Sequence, residues 1–210
     1  MACFTDLQLF ALADPLSEIS VQLRYNVSMK QVYLLTGNPG KIKAANYIFN
    51  KHNTEVLPLE LDIPEIQAES SVEIATYMVK EAFRLTGKPA IREDHSFYIK
   101  ELGFPGPFMA YADKTVSPEQ LLSILDTLES RDAYFELGAA YIDKMGEIHK
   151  FSYQIPITMS DTVRGTDKLR WERLMMFPGG TKTFAEFTED EDDPTIWSRN
   201  YEDIAQLIEK

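Results

Sequence analysis

Cysteine is nearly absent: Cys3 stands alone among 210 residues. A single thiol closes no internal disulfide and builds no thiolate metal site, which fits a reducing compartment and makes a cytoplasmic protein the expectation. Histidine is almost as scarce. His52, His95 and His149 are scattered, so no zinc-type spacing exists, and His95 has no second histidine nearby to share a metal. No apolar run approaches the roughly 18 residues of a membrane span, and no membrane partner is expected. The apolar stretch Phe10-Ala11-Leu12-Ala13 is flanked by Asp6 and Asp14 with no basic segment before it, unlike a secretory signal. Positive charge is in deficit too. With 21 Lys and Arg against 33 Asp and Glu the net charge is −12, a surface that repels phosphate backbones, so no nucleic-acid partner is expected. A small phosphorylated ligand would need a local group of cationic side chains and a divalent metal.

What the chain does have is enough apolar material for a core, 44% of residues, in a length suited to one generous domain. Residues 1–28 show little readable pattern and are taken as an amino-terminal extension, with residues 29–210 as a single domain. Val32-Tyr33-Leu34-Leu35 reads as a buried strand. Asn38 then suits an N-cap and Pro39 the first helical position, predicting a helix to about Asn50. Thr54–Leu57 reads as a strand. Ser70-Ser71-Val72-Glu73 is a capping-box pattern opening a helix with Ile74, Ala75, Met78 and Ala82 on its apolar face, ended by Gly87 and Pro89. Phe97–Ile99 is a strand candidate, and Ser117-Pro118-Glu119-Gln120 opens a third helix. Ala133–Asp143 and Glu147–Ile155 form a hairpin across Lys144-Met145-Gly146. Asp190–Asp193 reads as a solvated acidic loop, and Tyr201–Lys210 as a closing helix. Strands alternating with helices before a hairpin predict an α/β fold, a mixed sheet with helices packed on it. The ligand cleft belongs beside the first strand–helix turn.

Four segments carry chemistry. Thr36-Gly37-Asn38-Pro39-Gly40-Lys41 aims a helix N-terminus, two polar side chains and a lysine at one point, as a phosphate site would, though a plain capped helix explains it equally. Leu61-Asp62-Ile63-Pro64-Glu65-Ile66-Gln67 sets carboxylates among apolar residues, or is simply a surface loop. Lys88-Pro89-Ala90-Ile91-Arg92-Glu93-Asp94-His95-Ser96 places adjacent carboxylates after a short apolar stretch, where they need a cation; Mg²⁺ held by one or two carboxylates and substrate phosphates is the natural one. Leu102-Gly103-Phe104-Pro105-Gly106-Pro107-Phe108 is a rigid turn able to wall a pocket.

In this order and at these separations the four segments, with a lysine in the intervening helix, resemble the inosine triphosphate pyrophosphatase family, over about Val32–Arg199. The resemblance implies an elongated mixed sheet with flanking helices, two lobes around a central cleft, and a homodimer. It implies Mg²⁺-dependent hydrolysis of a nucleoside triphosphate, a deaminated purine such as ITP, dITP or XTP, to monophosphate and pyrophosphate. By position, Thr36, Gly37, Asn38 and Lys41 would hold the triphosphate, and Glu65 and Asp94 the metal, with Glu93 beside them. Asp94 or a carboxylate partner would activate water, and Lys80 would be the second lysine facing the phosphates.

The carboxy-terminal half departs from the family pattern. Leu169-Arg170-Trp171-Glu172-Arg173-Leu174-Met175 stands where F-G-W-D-P-x-F is usual, leaving Trp171 as a stacking surface and Glu172 in place of Asp. Asp192-Asp193-Pro194-Thr195-Ile196-Trp197-Ser198-Arg199 stands for E-K-N-x-x-S-H-R, keeping Arg199, with Ser198 in the substrate set and the Lys and His lost. Base preference is therefore open, and a nucleotide-binding or regulatory protein of the same fold is the alternative.

Overall fold

In the computed structural model, residues 29–166, 170–188, 191, 193 and 195–209 are described. Gln31–Lys210 forms one compact unit. The expected extension 1–28 lies outside the described residues, as do Leu169, Asp190, Asp192, Pro194 and Lys210.

The elements are β1 (Lys30–Leu34), α1 (Pro39–Phe49), β2 (Thr54–Pro58), α2 (Ser71–Thr86), β3 (Ala90–Ile99), β4 (Phe104–Gly106), α3 (Met109–Thr115), α4 (Pro118–Leu125), β5 (Asp132–Ile142), β6 (Ile148–Met159), β7 (Met175–Met176) and α5 (Arg199–Glu209). Among the described residues the strands form one seven-stranded sheet ordered β2-β1-β3-β5-β6-β7, with β4 also paired to β3. β1 and β3 run parallel, as a strand–helix–strand connection requires. β3, β5, β6 and β7 pair antiparallel in turn. The sheet is mixed and helix-flanked, the α/β arrangement expected.

Local chemistry explains the helix ends. The Asn38 side chain accepts from the Gly40 and Lys41 amides, capping α1. Ser70 accepts from Glu73 N–H, but the Glu73 carboxylate returns to the Glu69 amide, so the box is shifted by one residue. Gly87, at φ 66°, closes α2 in the left-handed conformation that glycine adopts most readily. Ser117 and Gln120 complete a reciprocal capping box on α4.

Three differences from the sequence reading concern short or polar segments. The strand expected at Phe97–Ile99 is the end of the ten-residue β3; Arg92-Glu93-Asp94-His95 hide the earlier part because they break the apolar pattern. The seven-residue α3 and two-residue β7 are too short to show a period.

Alternation along the strands divides the core. Ile91, Ala139 and Tyr141 face α1 and α5, meeting Ile48, Phe49, Tyr201 and Ile204. Ala90, Ala140 and Ile142 face α2, meeting Ala75, Val79 and Ala82. A third cluster joins the far part of the hairpin to α3, α4 and Trp171. The same alternation decides which polar residues of β3 can act together.

Candidate active site

A cavity of about 310 Å³ opens beside the β1–α1 turn, where the chain pattern put the ligand cleft. Thr36 and Gly37 line one side, Leu59–Asp62 another, with Met78 from α2 and Arg92 from β3. Thr36 is buried and its hydroxyl accepts from the Asn38 amide at 3.1 Å. Asn38 spends its side-chain oxygen on the helix cap, 2.8 Å from Gly40 N and 3.4 Å from Lys41 N. The turn is thus pre-shaped, with Gly37 exposed and, among the described residues, nothing within 4 Å of where a Cβ would stand.

Lys41 leaves α1 toward β3, and its Nζ donates to the Glu93 carbonyl at 2.8 Å. Burial pushes its pKa down from the ordinary lysine value; Glu93 and Asp94 oppose that, Arg92 adds to it, and Glu65 also opposes it. Asp94, on the α2 side of β3, comes within 3.8 Å of Arg92 Nη2. Glu65, exposed in the loop before α2, comes within 3.5 Å of the same nitrogen. Two carboxylates that converge on one cation beside a phosphate-type turn are the oxygen donor set a hard divalent metal uses. Glu65 and Asp94 fit Mg²⁺ by that measure.

Glu93 does not stand beside them. As the neighbour of Asp94 on an extended strand it points to the opposite face, where it is only 2% exposed. There Tyr201 Oη donates to Oε2 at 2.9 Å, Asn200 Nδ2 approaches Oε1 at 3.4 Å, and His95 Nε2 lies 3.3 Å away. Burial works to raise the carboxyl pKa, but His95, Lys41 and the Tyr201 hydroxyl outweigh it and hold Glu93 below its ordinary value. Its pairing ties β3 to α5 and keeps the carboxylate away from solvent, on the face of β3 opposite Asp94.

A sequence profile described as the Ham1 family matches residues 32–206. The chain belongs to the Ham1 family. It is similar to a protein of Methanopyrus kandleri named dITP/XTP pyrophosphatase, 33% identical over 77% of this chain and 86% of that one. It is also similar to the inosine triphosphate pyrophosphatase 1 of Trypanosoma cruzi, 28% identical over 84% of this chain and 90% of that one. A HAM1 protein of Coxiella burnetii shares the fold, with a TM-score of 0.72 at 18% identity over 86% of this chain and 99% of that one.

Several candidate side chains of this Ham1 chain do not line the cavity at Thr36. Lys80 is exposed, pairs with nothing among the described residues and does not line the cavity; Met78 does. Two helical residues turn the direction by about 200°, so Lys80 faces away when the Met78 stripe faces the sheet. Arg92 supplies the cation on that side, and the sequence reading passed it over because a charged residue inside a strand gives no periodic signal.

Trp171 is fully buried. Its indole N–H donates to Val116 O at 2.8 Å, and its amide donates to the buried Asp113 carboxylate at 2.7 Å. It has no exposed face and packs in the core cluster with Leu121, Leu125 and Phe184. Glu172, next to it, is half-buried. Ser198 is buried at the start of α5, its Oγ donating to Thr195 O at 3.3 Å. Arg199 is exposed, with its guanidinium 6.0 Å from the Tyr153 ring centroid. None of these four lines the cavity at Thr36. Trp197 packs in an aromatic group with His95, Phe135 and Phe184. The Phe104-Pro105-Gly106-Pro107 turn does wall a pocket, a second cavity of about 470 Å³ shared with Gln67, Glu69 and Tyr98.

Proposed function

We propose that this chain, a nucleoside triphosphate pyrophosphatase by its family, hydrolyses deaminated purine nucleoside triphosphates (dITP, XTP, ITP) to monophosphate and pyrophosphate with Mg²⁺. The observation that carries the metal-dependent reading is the convergence of Glu65 and Asp94 on one point beside the Thr36–Gly37 turn. The names of the Methanopyrus and Trypanosoma relatives support the substrate class. Thr36, Gly37 and Asn38 would receive the phosphates at the start of α1, where backbone N–H groups and the helix dipole favour anions. Asp94 would orient the attacking water and accept its proton. Lys41, anchored on the Glu93 carbonyl, would neutralise charge building on the leaving pyrophosphate. Glu65 and Asp94 would hold Mg²⁺, which when bound lowers the pKa of a coordinated water and screens phosphate charge.

A cytoplasmic homodimer belongs to the same proposal. Among the described residues no helix is long and apolar enough to cross a membrane.

The test is pyrophosphate release by the full chain from dITP, XTP, ITP, ATP and GTP, each with and without Mg²⁺. Release is expected from the deaminated purines and only with Mg²⁺. Release from none of the five would overturn the proposal in favour of a nucleotide-binding protein. Asp94→Asn should abolish turnover and leave the melting temperature within about 2 °C, because a partly exposed ion pair contributes under about 1 kcal/mol. Near-normal hydrolysis by that variant would remove Asp94 from the mechanism.

A further inference from the structure

Between the two carboxylates assigned to the metal stands a guanidinium. Arg92 is 16% exposed and is anchored at one corner, Nη1 donating to Leu35 O at 3.1 Å. Its other donors are poorly used. Nη2 lies 3.5 Å from Glu65 and 3.8 Å from Asp94, both long beside the roughly 2.7–2.9 Å of good charged hydrogen bonds. Nε is buried and makes no hydrogen bond among the described residues. The same side chain lines the cavity with Thr36 and Gly37.

A guanidinium keeps its charge at any working pH and presents a flat fork suited to phosphate oxygens. Glu65 and Asp94 cannot take a divalent cation without setting it against that fixed positive charge in partly desolvated surroundings, where like charges repel strongly. A polyphosphate in the cavity changes the balance, since the under-used N–H groups then gain strong acceptors.

We propose that Arg92 is a built-in competitor for the metal site and a phosphate-binding residue of the cavity. In the free protein it occupies the Glu65–Asp94 pair and weakens metal binding there; with nucleotide present it turns its donors to the phosphates. This rests on the reading of Glu65 and Asp94 as metal ligands. Arg92 therefore favours loading of metal and nucleotide together over loading of metal alone.

The experiment is Mn²⁺ binding to the full chain without nucleotide, by isothermal titration calorimetry, for the wild type, Arg92→Met and Arg92→Lys. Steady-state kinetics with dITP and a melting curve accompany each protein. Arg92→Met should bind Mn²⁺ at least about tenfold more tightly, equivalent to about 1.4 kcal/mol, while its KM for nucleotide rises more than its kcat falls. Arg92→Lys, which keeps the charge, should stay near wild type in Mn²⁺ affinity and recover part of the KM. Unchanged or weaker Mn²⁺ binding by Arg92→Met would overturn the proposal, because Arg92 would then only hold the two carboxylates together. Should Arg92→Met fail to fold, Arg92→Gln serves for the same comparison. Adding Glu65→Gln to Arg92→Met tests the premise separately. If that leaves Mn²⁺ affinity unchanged, the metal assignment itself fails, whatever Arg92 does to KM.

Discussion

Gly138 of β5 lies opposite Asp94 of β3, and replacing it by alanine probes how closely the fold is built around the site. Its backbone is not left-handed, so the effect is one of space alone. A Cβ at Gly138 would fall 2.5 Å from Ser71 Oγ, 2.5 Å from Val72 N and 2.6 Å from Ser71 C. Carbon contacts normally sit at about 3.5–4.0 Å, so the first turn of α2 would have to retreat by about 1 Å. Two of the three atoms are backbone, so a change of side-chain rotamer cannot relieve the clash. Overpacking of this kind costs about 1–3 kcal/mol, against about 0.5–1 kcal/mol that alanine recovers over glycine within a strand.

Most of the displaced atoms are backbone and the Ser71 hydroxyl also donates to Glu136, so the upper part of that range applies. The net loss is about 2 kcal/mol, or about 4–8 °C in melting temperature for a domain of this size. Activity should fall as well, because α2 begins just after the Glu65 loop and Asp94 is the paired residue. Thermal unfolding followed by circular dichroism, with pyrophosphate release on the same preparation, measures both. A Gly138→Ala protein that melts at or above the wild-type temperature would refute the reasoning.

Tyr201→Phe removes the hydroxyl that donates to the buried Glu93 and should cost about 1.5–3 kcal/mol, the value of a hydrogen bond to a charged group. Because Glu93 is held below its ordinary pKa of 4.5, its stabilisation is present above that value and is lost as pH falls through the lower folded value. The acid-unfolding midpoint of Tyr201→Phe should therefore move to higher pH, and an unmoved midpoint would remove Glu93 from the acid response. His52 is raised above 6.5 by its hydrogen bond to Glu209, with burial opposing and Glu202 adding, so its contribution is complete below that pH and disappears as pH rises through the folded value. Melting temperature should decline over that rise in the wild type and decline less in His52→Gln; parallel curves would refute it. Trp171→Phe should destabilise by about 2–3 kcal/mol through a partial cavity and an orphaned Val116 carbonyl while leaving KM within about twofold. A KM raised by tenfold or more, the scale of a lost base-stacking contact at about 1–3 kcal/mol, in a protein of unchanged stability would restore Trp171 as a ligand contact.

Elements whose signal is local were legible from the chain. The Asn38 and Ser70 caps, the Gly87 stop and the hairpin around Gly146 depend on neighbours in sequence, and the structure has them where the pattern put them. Thr36 and Gly37 of the first strand–helix turn and the Phe104–Pro107 loop, also local signals, line cavities in the structure. Residue type along the chain was enough for these because caps and turns are satisfied within a few residues.

What only the tertiary structure decided is which side chains face one another. Glu93 and Asp94 are adjacent in sequence, yet the pleat of β3 sends one to Tyr201 and Asn200 and the other to Arg92 and Glu65. Lys80 carries the expected charge but α2 turns it to solvent and presents Met78 instead. Trp171 has the expected ring but Asp113 and Val116 draw it into the core. Arg92, invisible as a motif, acquires its position from Leu35 on β1, Glu65 before α2 and Asp94 on its own strand. Facing directions follow from sheet register and helix packing, which sum contacts between residues far apart in the chain.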